Sequence, residues 1–156
     1  MASLILAAVD GSDHALDAVR KGLGLLPEDA QVVLVTAIEP FDPMLVTGTG
    51  MAGGTMSPET FEATNQQQED EGRRIVTDAA AALGLGDAAQ LRVERGNPGP
   101  TLCELAAEVD ADAIVLGSRG RGGLKRAVLG SVSDHVVRNA PCPVVVVGPE
   151  AQAEDG

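Results

Sequence analysis

The 156-residue sequence predicts an α/β fold in which a doubly wound five-stranded parallel sheet carries helices on both faces within a single domain. Five short apolar segments alternate with four segments of helical periodicity. Most of the apolar segments are continuously hydrophobic, which is typical of parallel strands that are buried on both faces. Because crossovers between parallel strands are right-handed, such a chain winds around both faces of the sheet. The handedness does not prove a strand order, and the order that we expect is 3-2-1-4-5.

The first three elements are a strand, a helix and a second strand. Residues 4–9 form a short apolar run that is interrupted by Asp10-Gly11-Ser12. Ser12 suits the cap of a helix, and the apolar residues after it recur at helical spacing as far as Leu26, where Pro27 stops the pattern. Gln31–Ile38 is the second strand.

A long irregular segment, residues 39–57, follows the second strand. Its length is unusual for a connection in a compact domain, so we interpret it as a functional lid or a disordered segment. It contains a literal G-x-G-x-x-G pattern at residues 48–53, which we do not interpret as a dinucleotide site because it does not join strand one to a helix. The second helix begins at Ser57-Pro58 and ends at Leu83 before Gly84, and its polar first half predicts exposure.

The second half of the chain continues the alternation. Residues 90–95 alternate apolar and charged side chains, as an edge strand does, and Asn97-Pro98 opens the third helix. Residues 113–116 form the fourth strand, Ser131–Asn139 the fourth helix and Val144–Val147 the fifth strand. Ligands of doubly wound sheets bind beyond the strand ends where the strand order reverses, which here is expected between strands one and four.

The composition restricts the classes of function. A net charge of −12 and a sequence pI near 4.4 disfavour nucleic acid and anionic membranes as partners. With two Phe and no Trp or Tyr, the chain lacks stacking platforms for single-stranded nucleic acid.

Cys103 and Cys142 lack metal-ligand spacing and are interpreted as small apolar residues in a reducing compartment. We find no secretory leader and no apolar stretch of bilayer length, and we expect a cytoplasmic protein.

Residues 117–131 carry the strongest functional signal. Their glycines leave the main-chain amides accessible to a ligand, and Gly130-Ser131 begins a helix, where unpaired amides and the helix dipole favour an anion. A solvated surface loop is the alternative, but the glycine pattern favours a phosphate-binding loop. Four cations lie within this segment of an acidic chain: Arg119, Arg121, Lys125 and Arg126.

The spacing of these glycines is similar to that of a known family. Gly117-x-x-Gly120, then nine residues, then Gly130-Ser131 closely resembles the motif of the ATP-binding branch of the universal stress protein family. Val9-Asp10-Gly11-Ser12, Gly96-Asn97-Pro98 and Ala140-Pro141-Cys142-Pro143-Val144 extend the resemblance over nearly the whole chain. The resemblance implies a nucleotide-binding domain at residues 1–149, followed by a flexible tail at residues 150–156.

The resemblance also implies roles for individual positions. Asp10 would accept hydrogen bonds from the ribose hydroxyls, the main chain near Ala37 would hold the adenine edge, and Gly117 would lie against the ribose. Backbone amides would hold the phosphates, with Mg²⁺ or Mn²⁺ bridging them, and we assign no catalytic residue and no protein metal ligand. The arginines are added because of their charge. The complete predicted nucleotide site is Asp10, Gly11, Ala37, Gly117, Ser118, Arg119, Gly120, Arg121, Gly130, Ser131 and Val132.

These features predict a regulatory protein of the stress response that binds an adenine nucleotide, ATP in the first place. AMP and cyclic AMP stay open as ligands. A slow ATP hydrolase or phosphotransfer enzyme is the alternative, and we favour binding because the phosphate loop lacks an acidic residue to position a water. The unpaired edge of Val144–Val147 predicts a homodimer through the last strand, a mode of pairing that the resemblance also implies.

Overall fold

A computed structural model describes residues 2–41, 56–118 and 129–149 of the chain. Several predicted features lie outside these described residues. They are the glycine pattern at residues 48–53, the residues Arg119, Gly120, Arg121, Lys125 and Arg126, and the tail at residues 150–156.

The described elements alternate between strands and helices in the predicted order. The strands are β1 (Leu4–Ala8), β2 (Gln31–Ile38), β3 (Ala89–Arg95), β4 (Ala113–Gly117) and β5 (Val144–Val147). The helices are α1 (Asp13–Leu23), α2 (Pro58–Ala82), α3 (Pro98–Glu108) and α4 (Ser131–Asn139). One turn of 3₁₀ helix, Gly86–Ala88, precedes β3 and was not predicted from the sequence.

The five strands form one parallel sheet in the order β3-β2-β1-β4-β5, which confirms the predicted fold class. The central strand β1 pairs with β2 on one side and β4 on the other, so that Ile5 is in register with Val32 and with Ala113. The strand order therefore reverses between β1 and β4. As expected for an edge strand, β3 leaves Leu91 exposed.

Alternate residues of the strands supply two separate core layers. Ile5, Leu34 and Val115 belong to the layer that is covered by α1 and α2, whereas Leu6, Val35 and Ile114 belong to the layer under α3 and α4. Each central strand is thus buried on both faces, which explains its continuous apolar sequence. No helix among the described residues is long and apolar enough to cross a membrane.

The predicted helix caps are present. The hydroxyl of Ser12 accepts a hydrogen bond from the Ala15 amide at 3.2 Å, and that of Ser57 accepts one from Thr60 at the same distance. α2 ends one residue before the predicted Leu83, and Gly84 follows it with a φ of 68°, a left-handed conformation that glycine adopts readily.

The end of α1 was predicted wrongly by three residues. α1 ends at Leu23 instead of Leu26. The amides of Leu25 and Leu26 donate to the carbonyls three residues back, at 3.1 Å each, so the chain tightens into a turn there. Leu26 still packs against the core layer of α1, which is why its spacing looked helical.

Gly22 provides a test of how closely α1 approaches the sheet, because a Cβ at this position would overlap Cγ1 of Val115. Glycine-to-alanine replacement inside an unobstructed helix stabilises a protein by about 1 kcal/mol. Here we expect Gly22→Ala to lower the free energy of unfolding by about 1–3 kcal/mol, because the added methyl group overpacks the core. Urea denaturation measures the change.

A double-mutant cycle with Val115→Ala supplies the control. The two substitutions should compensate each other by about 1 kcal/mol or more, because the smaller side chain makes room for the new methyl group. A Gly22→Ala variant as stable as the wild type would contradict this close packing.

Candidate functional site

A cavity of about 890 Å³ opens at the carboxyl ends of β1, β2 and β4. It lies where the strand order reverses, between β1 and β4, which is the usual ligand position in doubly wound sheets. Small-molecule sites occupy about 300–1,000 Å³, so the cavity is large enough for a nucleotide-sized ligand. We call this cavity the crevice.

Several predicted site residues lie on the wall of the crevice. The lining includes Asp10, Ala37, Gly117, Gly130, Ser131 and Val132. Gly11 and Ser118 are not among the described lining residues but directly follow two that are, Asp10 and Gly117. The fold therefore assembles the wall from three distant parts of the chain.

The amino terminus of α4 forms one side of the crevice. Gly130 is the cap residue, and no described side chain caps the first turn. The first main-chain hydrogen bond of the helix runs from the Asp134 amide to the Gly130 carbonyl at 2.9 Å, so the amides of Ser131, Val132 and Ser133 precede the regular ladder. Together with the helix dipole, such amides favour an anion.

A buried serine ties β4 to α4. Ser133 is 2% exposed, and its hydroxyl lies 3.1 Å from the carbonyl oxygens of both Ser118 and Gly130. The Gly130 amide also donates to the Ser118 carbonyl at 2.7 Å, and the Ser118 amide donates to Val147 of β5 at 2.9 Å. These bonds fix the two points between which the predicted phosphate loop runs.

Asp10 stands at the end of β1 in a tight turn. One of its carboxylate oxygens, Oδ1, accepts hydrogen bonds from the Ser12 amide at 2.9 Å and from the Ser12 hydroxyl at 2.5 Å. Gly11 has a φ of 85°, which allows the turn. The carboxylate is half-buried on the crevice wall, where it can accept hydrogen bonds from a ligand hydroxyl.

Sequence reasoning missed the polar part of the opposite wall. The end of β2 and one face of α2 line the crevice with Thr36, Glu39, Thr64, Gln67, Gln68 and Glu71. The first half of α2 is largely exposed, as predicted. The sequence offered one signal for this wall. The polar residues of α2 that line it are spaced by three and four, which places them on one face of the helix. Ser133 was also missed, although it lies between the inward-facing Val132 and Val136.

The two cysteines take no part in the crevice wall. Both pack against the core layer under α3 and α4, and burial raises the pKa of each thiol. The thiols are therefore protonated at neutral pH, which suits their interpretation as small apolar residues. In the described parts of the chain, no three His, Cys, Asp or Glu side chains are grouped to hold a metal ion.

A crevice at the reversal of a doubly wound sheet, with an anion-favouring helix terminus on its wall, defines a class of ligand-binding α/β proteins. The comparison with known proteins specifies the family. The family model described as Universal stress protein family matches residues 1–148. The chain belongs to this family.

Relatives of known sequence agree with this assignment. Universal stress protein MJ0531 of Methanocaldococcus jannaschii is 31% identical over 147 residues, which cover 92% of this chain and 80% of the relative. Universal stress protein YxiE of Bacillus subtilis is 32% identical over 149 residues, which cover 94% of this chain and 99% of the relative. Universal stress protein Rv2005c of Mycobacterium tuberculosis is 46% identical over 86 residues, but these span only 28% of that longer protein.

Solved structures share the fold. Hypothetical protein MJ0577 superimposes with a TM-score of 0.76 at 21% identity, covering 97% of this chain and 99% of its own. UspA from Lactobacillus plantarum gives a TM-score of 0.72 at 21% identity, covering 93% and 97%. A universal stress protein in complex with cAMP gives a TM-score of 0.60 at 27% identity, and the match covers 94% of this chain and 97% of that protein.

We expect Ser133→Ala to lower the free energy of unfolding by about 1–2 kcal/mol, because the Ser118 and Gly130 carbonyls lose a buried donor. Chemical denaturation of the unliganded protein measures this loss. Ser131→Ala is the matched control, since Ser131 is exposed at the start of the same helix and its stability effect should be small. Equal effects of the two substitutions would show that the Ser133 bonds do not stabilise this junction.

Proposed function

We propose that this universal stress protein is a regulatory protein that binds an adenine nucleotide, ATP in the first place, in the crevice. The observation that carries the proposal is that the amino terminus of α4 and the Asp10 carboxylate share one cavity. The helix terminus suits phosphates, and a carboxylate suits ribose hydroxyls. A nucleotide presents these two groups next to each other.

The charges on the wall favour one orientation of the nucleotide. Glu39 and Glu71 lie on the side formed by β2 and α2, where they would repel phosphate oxygens. The phosphates therefore belong at α4, and the base belongs near Ala37 at the end of β2. Gly120 and the cations Arg119, Arg121, Lys125 and Arg126 are proposed to extend the phosphate site, although they lie outside the described residues.

The solved relative in complex with cAMP supports an adenine nucleotide as the ligand class. We choose ATP over AMP and cyclic AMP because the glycine motif and four nearby cations suit a longer polyanion. Mg²⁺ or Mn²⁺ would neutralise charge between the phosphates. Because the described residues hold no group of metal-binding side chains, phosphate oxygens and water would supply most ligands of the ion.

We favour binding over hydrolysis. Three carboxylates lie on the described wall: Asp10 follows β1, Glu39 follows β2, and Glu71 lies on α2. No described acidic residue of α4 lines the crevice near the proposed phosphate site, where an attacking water would need to be oriented. Steady-state phosphate release that Asp10→Asn abolishes would favour the enzyme instead.

Nucleotide binding is tested by calorimetry with ATP, ADP, AMP and cyclic AMP, together with chromatography of any nucleotide released from the denatured protein. We expect ATP to bind, and we expect Asp10→Asn to raise its Kd about tenfold, because a charged acceptor for the ribose hydroxyls becomes neutral. The amide oxygen of asparagine can still accept the two hydrogen bonds from Ser12, so the turn should persist.

Asp13→Asn is the matched control, because Asp13 is exposed in the first turn of α1 and is not among the residues that line the crevice. Its Kd should equal that of the wild type. Absence of nucleotide binding by the wild-type protein, or an equal loss in both variants, would refute the proposed site.

We also propose a homodimer through β5. Among the described strands β5 pairs only with β4, and Val144–Val147 are partly exposed. The carbonyls of Pro143 and Val147 accept hydrogen bonds from the amides of Ile114 in β4 and Ser118 just after it. Because main-chain groups alternate in direction along a strand, those of Val144 and Val146 point outward. A second copy can pair with these groups and cover the edge.

Light scattering at micromolar concentration should give a dimer mass for the wild type. Val146→Pro removes an outward amide and should produce a folded monomer, because proline is tolerated on the free side of an edge strand. Val145→Pro removes an amide that faces β4 and should instead destabilise the fold, as circular dichroism would show. A monomeric wild type, or a Val146→Pro dimer, would contradict this interface.

A further inference from the structure

The first part of α2 extends beyond the core and over the crevice. The helix has 25 residues and is about 37 Å long, whereas the eight residues of β2 span about 26 Å. Its buried residues begin only at Gly72, so residues 58–71 pack on no core layer through a buried side chain. We call residues 58–71 the overhang.

Arg95, the last residue of β3, holds the overhang in place. Its guanidinium donates to the side-chain oxygens of Asn65 and Gln68, each at 3.2 Å, and to the Asn65 carbonyl at 3.3 Å. These bonds attach the overhang to the end of β3. Gln67 and Glu71, one turn apart on α2, line the crevice itself.

Thr36 lies beneath this helix on the crevice wall and is 4% exposed. A Cβ built at Gly72 would lie 3.4 Å from its methyl carbon, so α2 passes directly over it. The Thr36 hydroxyl makes no hydrogen bond with any described residue. The Ser133 hydroxyl, in contrast, lies within hydrogen-bond distance of two carbonyl oxygens. A buried hydroxyl without a partner is unfavourable, and a bound ligand would satisfy it.

We propose that Thr36 and Glu71 form a base-reading subsite that selects adenine over guanine. This inference rests on the proposed function, which places the base on this side of the crevice. The exocyclic amine of adenine donates hydrogen bonds, whereas guanine presents a carbonyl oxygen at the equivalent position. The Glu71 carboxylate can only accept, so it suits the amine and repels the carbonyl oxygen. The Thr36 hydroxyl supplies a second polar contact to the base edge.

Glu71 can accept a hydrogen bond from the base while it remains paired with Arg74. Arg74, three residues along α2, donates to Oε1 of Glu71 at 2.5 Å. A carboxylate has two oxygens and about four acceptor positions, so Glu71 can bind Arg74 and a base amine together. The pair with Arg74 also limits the movement of the carboxylate.

The test compares ATP, GTP and inorganic tripolyphosphate by calorimetry on the full chain. Thr36→Val should raise the Kd of ATP about fivefold, the effect of one neutral hydrogen bond. Its melting temperature without ligand should not fall, because the Thr36 hydroxyl makes no hydrogen bond to a described residue that the substitution would remove. Glu71→Gln should reduce the preference for ATP over GTP about tenfold, because the amide can also donate to the guanine carbonyl.

Matched substitutions on α2 separate this role from general effects on the helix. Thr77→Val removes an exposed hydroxyl that donates to the Arg73 carbonyl, and Glu62→Gln neutralises a carboxylate outside the crevice lining. Both should leave the nucleotide affinities unchanged. Tripolyphosphate should bind all four variants and the wild type equally, because it lacks a base.

The outcomes distinguish the two proposals. If ATP binds the wild type but neither Thr36→Val nor Glu71→Gln changes its Kd or the ATP/GTP ratio, the base-reading subsite is wrong and the proposed function stands. If ATP does not bind the wild type, the proposed function fails and the subsite fails with it. A parallel loss of tripolyphosphate binding in Thr36→Val would also refute a contact to the base.

Discussion

The reversal of strand order between β1 and β4 is the constraint on which the rest of this molecule depends. The chain leaves β1 into α1, which covers one face of the sheet, and leaves β4 toward α4, which covers the other. The two exits diverge, and the described residues leave a cavity above the strand ends. The crevice is therefore a consequence of connectivity, and the turn residues at the two strand ends become its wall.

The crevice divides into two chemically different sides. The α4 side offers main-chain amides ahead of a helix and is joined to β4 by the buried Ser133 bonds. The α2 side offers carboxylates, amides and the Thr36 hydroxyl. A chain of net charge −12 repels an anion at long range, so the attraction has to be local, and the amides and the helix dipole at α4 contribute to it. This division suits a ligand with one anionic and one neutral polar end.

The sequence predicted the sheet because its information is local and periodic: apolar runs, the caps Ser12 and Ser57, and Gly84 after α2. It predicted where the crevice lies because the topological rule needs only the strand order. It did not reveal Thr36 or Ser133. Thr36 sits in an apolar strand, and its burial depends on where α2 crosses β2. Ser133 gains its partners only when the ends of the segment between β4 and α4 meet, which no pattern in the chain records.

Gly72 explains why the burial of Thr36 could not be predicted from the sequence. A glycine inside a helix is unfavourable by about 1 kcal/mol relative to alanine, so the sequence alone indicates only that Gly72 lowers the stability of α2. In the fold, a Cβ there would lie 2.8 Å from Cγ1 of Val93, so the absence of a side chain allows the helix to approach β2 and β3 closely. That approach buries Thr36, and Arg95 then holds the overhang at the strand ends. The local loss of helix stability is thus tied to the geometry of the α2 wall, and an alanine at position 72 would have to move that wall away from Thr36.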